Sequence, residues 1–312
     1  MAYQLSDINR RAASDPVAFL ADSDAVYRSK VEHAADLIVQ NRTQSPVVLL
    51  AGPSGSGKTT SSLNLQKELL RRGIKTHTVS MDDYFITVSP LATPRTKTGE
   101  YDFESPLCLD MELLHEHFAA LNRGEEILIP HYDFARHMRD TSRCTALKLG
   151  PDEIAIFEGI HALNVELAGR HPEAFKIYLS ARSGIRDGKQ TVFKNTWMRL
   201  ARRCIRDMHF RGTEVLHTFA MWSNIRRGEK LYISPYKSSA NLMFDSSLPY
   251  EVNVMVHYAA RLAENIPEGI PKREEMLRMI EAFDLFTPIN PALVARDSLL
   301  REFIGGGVYS AH

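Results

Sequence analysis

The sequence predicts an α/β fold, a parallel sheet flanked by helices, with helical additions at both ends. Three observations predict it. First, Val47, Val48, Leu49, Leu50 and Ala51 form an apolar run that reads as a buried strand, and it leads straight into Gly52-Pro53-Ser54-Gly55-Ser56-Gly57-Lys58-Thr59. Second, the residues from Lys58 to Arg72 read as a helix closed by Gly73, and Lys75 to Met81 read as the next strand. Third, Ile154 to Gly159, Phe175 to Leu179 and Asn241 to Ser246 are further short apolar runs of the kind that fill a parallel sheet. Together they imply a P-loop NTPase-like arrangement.

The turn at 52–59 has the spacing G-x-x-x-x-G-K-[ST], with the strand before it and the helix after it that the motif demands. Its glycines let the backbone fold around a polyphosphate with N–H groups pointing inward, and the helix aims its positive end at the same anion. Gly52, Ser54, Gly55, Ser56, Gly57, Lys58, Thr59 and Thr60 are therefore the candidate nucleotide-binding residues. Lys58 would reach the outer phosphates, and Thr59 would offer its hydroxyl to Mg2+. A nucleoside triphosphate is the expected ligand.

Composition narrows the class. The chain has 312 residues, 44% hydrophobic and 24% charged, the balance of a globular protein with a sizeable core. Lys plus Arg and Asp plus Glu both total 38, so no basic excess points to a nucleic-acid partner, and a small-molecule acceptor is expected instead. No stretch of about 18 apolar residues occurs, so no membrane partner is expected. Cys108, Cys144 and Cys204 stand far apart without a C-x-x-C pair, which fits a reducing compartment and buried thiols. The expected setting is cytoplasmic.

In chain order, residues 1–45 read as an N-terminal helical appendage, because Val26, Val31, Ala34, Leu37 and Ile38 recur at helical spacing. Residues 46–250 read as the P-loop domain and 251–312 as a C-terminal helical extension. Asp82 and Asp83 stand where the second strand would end, the edge at which open α/β sheets bind ligands. A turn or helix cap made by Asp is the plain alternative. Residues 87–110 contain Pro90, Pro94, Gly99 and Pro106 among charges, so they read as a long substrate-side loop. Met111 to Asn122 reads as a helix, and Ile127 to His137 as a short β-like piece with interleaved aromatic and ionisable residues.

Glu158 closes the apolar run 154–157, where a P-loop enzyme places the carboxylate that serves Mg2+. Arg199, Arg202, Arg203 and Arg206 fall at steps of three and four and so share one helix face, with Leu200, Cys204 and Ile205 opposite. A solvated basic face would explain this. A phosphoryl group in transfer needs cations around its oxygens, which favours a catalytic lid. Residues from 288 onward, ending in Gly305, Gly306 and Gly307, read as an irregular tail used in packing or in a homo-oligomer contact.

With these residues in view, the chain resembles the uridine kinase and phosphoribulokinase family from Pro46 to Ser247. The resemblance rests on G-P-S-G-S-G-K-T, on Ser80-Met81-Asp82-Asp83, and on Ile129-Pro130-His131-Tyr132-Asp133-Phe134 followed by His137 and Arg139. It rests also on Phe157-Glu158-Gly159, and on Arg199 to Asp207 followed by Arg211-Gly212. It implies ATP-dependent, Mg2+-assisted phosphorylation of the 5'-hydroxyl of a nucleoside, uridine or cytidine. Asp82 would be the base, Lys58, Arg203 and Arg206 the cations that offset charge, and Thr59 and Glu158 the Mg2+ residues. Tyr132 and His137 would contact the pyrimidine, with Arg139, Arg199 and Arg211 on the substrate side. The family's F-D-x-P piece corresponds to Tyr101-Asp102-Phe103-Glu104-Ser105-Pro106, two residues longer, so either Asp102 or Glu104 would hold the acceptor hydroxyls. Thr213 stands where the family often has another arginine. The alternatives are a kinase acting on a sugar or sugar phosphate, and a non-catalytic nucleotide-binding regulatory module.

Overall fold

The computed structural model describes residues 2–210, 212, 215–263, 266, 268–269 and 272–309. Arg211, assigned above to the substrate side, lies outside the described residues. Among those described, the strands are β1 Ala2–Gln4, β2 Val47–Ala51, β3 Lys75–Ser80, β4 Ile127–Asp133, β5 Met138–Leu147, β6 Glu153–Gly159, β7 Phe175–Ser180, β8 Gly184–Asp187, β9 Gln190–Phe193 and β10 Leu242–Asp245. The helices are α1 Leu5–Ser14, α2 Pro16–Asn41, α3 Lys58–Arg71, α4 Met111–Asn122, α5 Val165–Ala168, α6 Asn195–Phe210, α7 Val215–Gly228, α8 Glu251–Met255, α9 Ala259–Ala263, α10 Arg273–Glu281 and α11 Arg301–Ile304.

The central sheet has five parallel strands in the order β10-β7-β2-β6-β3. All five residues of β2 are buried because helices cover both faces of the sheet. Alternate side chains go to opposite layers: Val48 and Leu50 join the core formed with α2, α3 and α6, while Val47, Leu49 and Ala51 join the core formed with α4, β4 and α5. The register sets Ala51 beside Gly159, Leu50 beside Glu158, and Ser80 beside Glu158. Three strand ends therefore finish level, and the 52–59 turn, Glu158 and Asp82 leave the sheet at one edge.

Helix boundaries follow local chemistry. Asp15 accepts the N–H of Ala18 and Pro16 opens α2, while Asp110 accepts the N–H of Leu113 to open α4. α3 opens differently. Its N-cap is Gly57, at φ 86°, which offers no side-chain cap to the first-turn N–H groups.

Several elements differ from the sequence expectation. The 127–137 piece is β4 and the turn after it, in an antiparallel hairpin with β5, whose residues are mostly polar and exposed, so no apolar run announces it. β1, β8 and β9 form a small second sheet, and α7 follows α6. The tail is not irregular throughout, since Pro291–Leu293 and Arg301–Ile304 are helical turns with Leu299, Leu300 and Phe303 buried. Cys108 and Cys204 are buried, but Cys144 is exposed, because it sits on a polar stretch of β5.

The two ends of the chain are built into the main core. Phe19, Val31, Ala34 and Ile38 of α2 join the same hydrophobic cluster as Leu50, Phe283 and Phe303. The buried Tyr250 hydroxyl donates to Asp24 Oδ1 at 2.7 Å and lies 2.7 Å from Ser298 Oγ, tying the three regions together. No described helix is long and apolar enough to cross a membrane.

Candidate active site

The turn at 52–59 is pressed against α6. Gly55 has φ 73°, and a Cβ there would stand 2.5 Å from the carbonyl oxygen of Arg199, so a side chain is barred twice over. Ser56 Oγ is buried with no hydrogen-bond partner among the described residues, a polar atom that phosphate oxygens would satisfy. Lys58 and Thr59 begin α3, with the Thr59 residue exposed. The N–H of Thr60 is engaged by Glu302 Oε2 at 3.1 Å, from the C-terminal tail.

Around this turn the carboxylates converge. Glu158 is pushed up to about 7 by burial; the Lys58 charge opposes this, and Asp82 and Glu302 add to it. Asp82 thus lies within electrostatic reach of the cradle, in a helical turn where Ser80 Oγ accepts its N–H at 3.3 Å. Its neighbour Asp83 turns to the hairpin instead, 3.4 Å from His131 Nδ1.

The structure separates Asp102 from Glu104. Asp102 is buried and receives Arg227 Nη2 at 2.6 Å and the Tyr232 hydroxyl at 3.1 Å. That pairing fastens the 87–110 loop to α7. Glu104 packs against Gly228, where a Cβ would stand 2.4 Å from its own Cβ. Burial pushes its carboxyl up to about 7, and Arg203 and Lys58 are among the cations that oppose this. Glu104 is the member of the pair whose carboxyl lies within electrostatic reach of Lys58 and Arg203.

The arginines of α6 do not form an open lid. Arg199 and Arg202 are buried, because each guanidinium is neutralised by a carboxylate from a distant segment, Glu229 at 2.7 Å and Glu251 at 2.6 Å. Arg203 Nη1 donates to Ser54 Oγ at 2.6 Å and its Nε lies 3.2 Å from Asp207. Arg206 lies 3.3 Å from Asp207 and 4.0 Å from Glu302.

On the hairpin side, Tyr132 is buried and packs on Phe85 and Phe134 at centroid distances of 5.5 and 5.0 Å. His137, at φ 53°, stacks on Phe103 at 5.7 Å and 13°. Phe103 and Phe134 are exposed, leaving an aromatic surface beside the loop that carries Glu104. Arg139 is committed elsewhere, donating to Asp110 Oδ2 at 2.8 Å and to the carbonyl of Tyr84 at 3.0 Å, which fastens the hairpin to the start of α4. Glu229, Glu251, Glu302, Phe103 and Arg227 are not among the residues that the sequence singles out. Only Phe103 had a local signal, being flanked by Asp102 and Glu104 in the matched piece.

The donor set suits Mg2+. A hydroxyl at Thr59 and a carboxylate at Glu158 are hard oxygen ligands, and Mg2+ takes few protein ligands because it keeps waters and phosphate oxygens. Among the described residues no group of three or more His, Cys, Asp or Glu is placed to hold a metal without such help.

The raised carboxyls make a stability prediction. A carboxyl whose folded pKa is about 7 stabilises the fold fully below the ordinary carboxylate range, and that contribution is lost as pH rises through 7. The ligand-free protein should therefore lose more thermal stability between about pH 5 and pH 8 than its Glu158→Gln variant. Parallel pH curves for the two proteins would contradict the assignment.

Comparisons with known proteins place the chain in a family. The model of the Phosphoribulokinase / Uridine kinase family matches residues 47–252, more than half of the chain. A uridine kinase of Halobacterium salinarum is 26% identical over 195 residues, covering 62% of this chain and 77% of its own. The uridine kinase of Staphylococcus haemolyticus is 27% identical over 198 residues, covering 63% and 86%. A Bacillus stearothermophilus structure described as "a Possible Uridine Kinase" aligns over 70% of this chain and 98% of its own, at 21% identity and a TM-score of 0.46. The chain belongs to the phosphoribulokinase and uridine kinase family of P-loop kinases.

Proposed function

We propose that the protein transfers the γ-phosphoryl group of ATP to the 5'-hydroxyl of a pyrimidine nucleoside, uridine or cytidine, with Mg2+ present. The observation that carries this reading is the convergence of Asp82, Glu104 and Glu158 with Lys58 and Arg203 at the P-loop, next to the aromatic surface of Phe103, Phe134 and His137.

In this reading the P-loop holds the phosphates and Lys58 and Arg203 offset the charge that develops on them. Thr59 and Glu158 would hold Mg2+, which would supply further charge neutralisation when bound. Asp82 accepts the proton of the attacking hydroxyl. Glu104 accepts hydrogen bonds from the acceptor hydroxyls, and Asp102 with Arg227 keeps its loop in place. The aromatic faces stack on the base. An acceptor screen with ATP and Mg2+, offering uridine, cytidine and ribulose 5-phosphate side by side and read by product mass, tests it. Phosphorylation of neither nucleoside would refute it.

One observation favours a sugar phosphate acceptor as the second reading. Among the described residues, Lys97, Arg226, Arg227, Lys230 and Lys272 line an open pocket of 860 Å3 with the acids Glu100 and Glu275; Arg227 is paired with Asp102 and Arg226 with Glu229, and Lys97, Lys230 and Lys272 are the remaining lining cations. Preference for ribulose 5-phosphate in the same screen would select it.

Glu302 gives a further prediction. Its carboxylate sits on the N–H of Thr60, at a helix N-terminus that favours anions, and so competes with a polyphosphate for the same donor. Glu302→Gln should tighten nucleotide binding several-fold in titration calorimetry. Weaker binding in the variant would show that Glu302 assists the nucleotide.

A further inference from the structure

Two arginine and glutamate pairs stand beneath the P-loop with no role in the transfer described above. Arg199 Nη1 donates to the carbonyl of Ser54 at 3.2 Å, and its Nη2 to Glu229 at 2.7 Å. Arg202 Nη1 lies 3.4 Å from the carbonyls of both Gly55 and Ser56, while its Nε and Nη2 grip Glu251 at 2.6 and 3.0 Å. Ser246 Oγ adds a donor to the Ser56 carbonyl at 2.6 Å, and Arg202 Nη2 donates to the Ser246 carbonyl at 2.9 Å. Neither side chain of the Arg202 and Glu251 pair has any exposure.

In a trans peptide the N–H points opposite to the carbonyl it shares a plane with. Holding the carbonyls of Ser54 and Ser56 against α6 therefore turns the N–H groups of Gly55 and Gly57 away from α6, toward the phosphate side. The N–H of Ser56 closes the turn on the Pro53 carbonyl at 3.2 Å. A loop rich in glycine would otherwise sample many peptide orientations, and each would have to be frozen when a phosphate arrives. Fully buried ion pairs are seldom retained for stability, because well-packed apolar residues serve as well or better. Arginine does here what an apolar residue does not: one planar fork spans a carboxylate and successive backbone oxygens.

We infer that Arg199 with Glu229, and Arg202 with Glu251 and Ser246, are positioning residues that fix the P-loop peptides in the phosphate-binding orientation before nucleotide arrives. The inference rests on the nucleotide-binding reading above and assigns a task to Glu229, Ser246 and Glu251, which no sequence motif marks. Removing Arg202 alone would strand a buried carboxylate, so the informative variant is Arg202→Met with Glu251→Gln. It removes both charges and keeps an acceptor for the Leu248 N–H, which Glu251 Oε1 receives at 2.9 Å.

The test is calorimetric titration of wild type and variant with Mg-ATP and with inorganic tripolyphosphate, beside their thermal unfolding. The double variant should melt within a few degrees of wild type yet bind both ligands at least tenfold more weakly, with KM for ATP rising more than kcat falls. Wild-type affinity in the folded double variant would overturn the inference. If that variant does not fold, Ser246→Ala deletes one carbonyl contact and no charge; it should weaken tripolyphosphate binding several-fold at unchanged melting, and unchanged binding would overturn the inference equally. Failure of the wild type itself to bind Mg-ATP would instead sink the nucleotide-binding reading.

Discussion

Asp82→Asn should lower turnover by about 10²- to 10⁴-fold while nucleotide binding persists, the range that general base catalysis contributes. A hydroxyl is a weak nucleophile at neutral pH, so the acceptor oxygen needs a carboxylate to take its proton as it attacks. Asp82 occupies the level edge where β3, β2 and β6 end, beside Glu158 and the P-loop. The amide keeps the size of the side chain and loses the basicity. Single-turnover rates measured with saturating ATP separate the chemical step from binding, and near-normal turnover would remove Asp82 as the base.

Lys58→Met should be nearly as damaging, by a different route. A fixed cation or donor facing developing charge is worth about 10²- to 10³-fold in kcat. Lys58 has a second effect that Asp82 lacks, because its charge draws down the carboxyls of both Glu104 and Glu158. Without it both carboxyls titrate higher, so any residual activity should show its acid limb displaced toward higher pH. A reduced rate with an unmoved pH profile would mean that Lys58 is not close enough to these carboxyls to influence them.

Much of this was legible in the chain itself, for identifiable reasons. The β2 run, the glycine spacing after it and the start of α4 at Asp110 are local signals, set by burial on both faces, backbone conformation and capping. Asp82, Glu158 and Lys58 stand at ends of such elements, so their convergence followed from the parallel order. What escaped depends on contacts across long sequence distances. Arg199, Arg202 and Arg206 read as one cationic face, because the carboxylates that meet them come from positions 229, 251 and 302. The pairing of Asp102, which sets it apart from Glu104, likewise depends on Arg227 and Tyr232, which no spacing near 102 announces. β5 escaped because its side chains are mostly solvated, leaving no apolar run to betray it.

The hydroxyl of Tyr250 has a practical consequence. It joins a residue of α2 to one near the C-terminus, and Phe19, Ile38 and Phe303 sit in the same oily layer as Leu50 of the strand that feeds the P-loop. Trimming the polypeptide to the stretch shared with its shorter relatives would strip that layer open and leave the Asp24 carboxylate's counterpart without company. Enzymologists seeking a minimal catalytic fragment should retain both extremities, since neither is a detachable accessory.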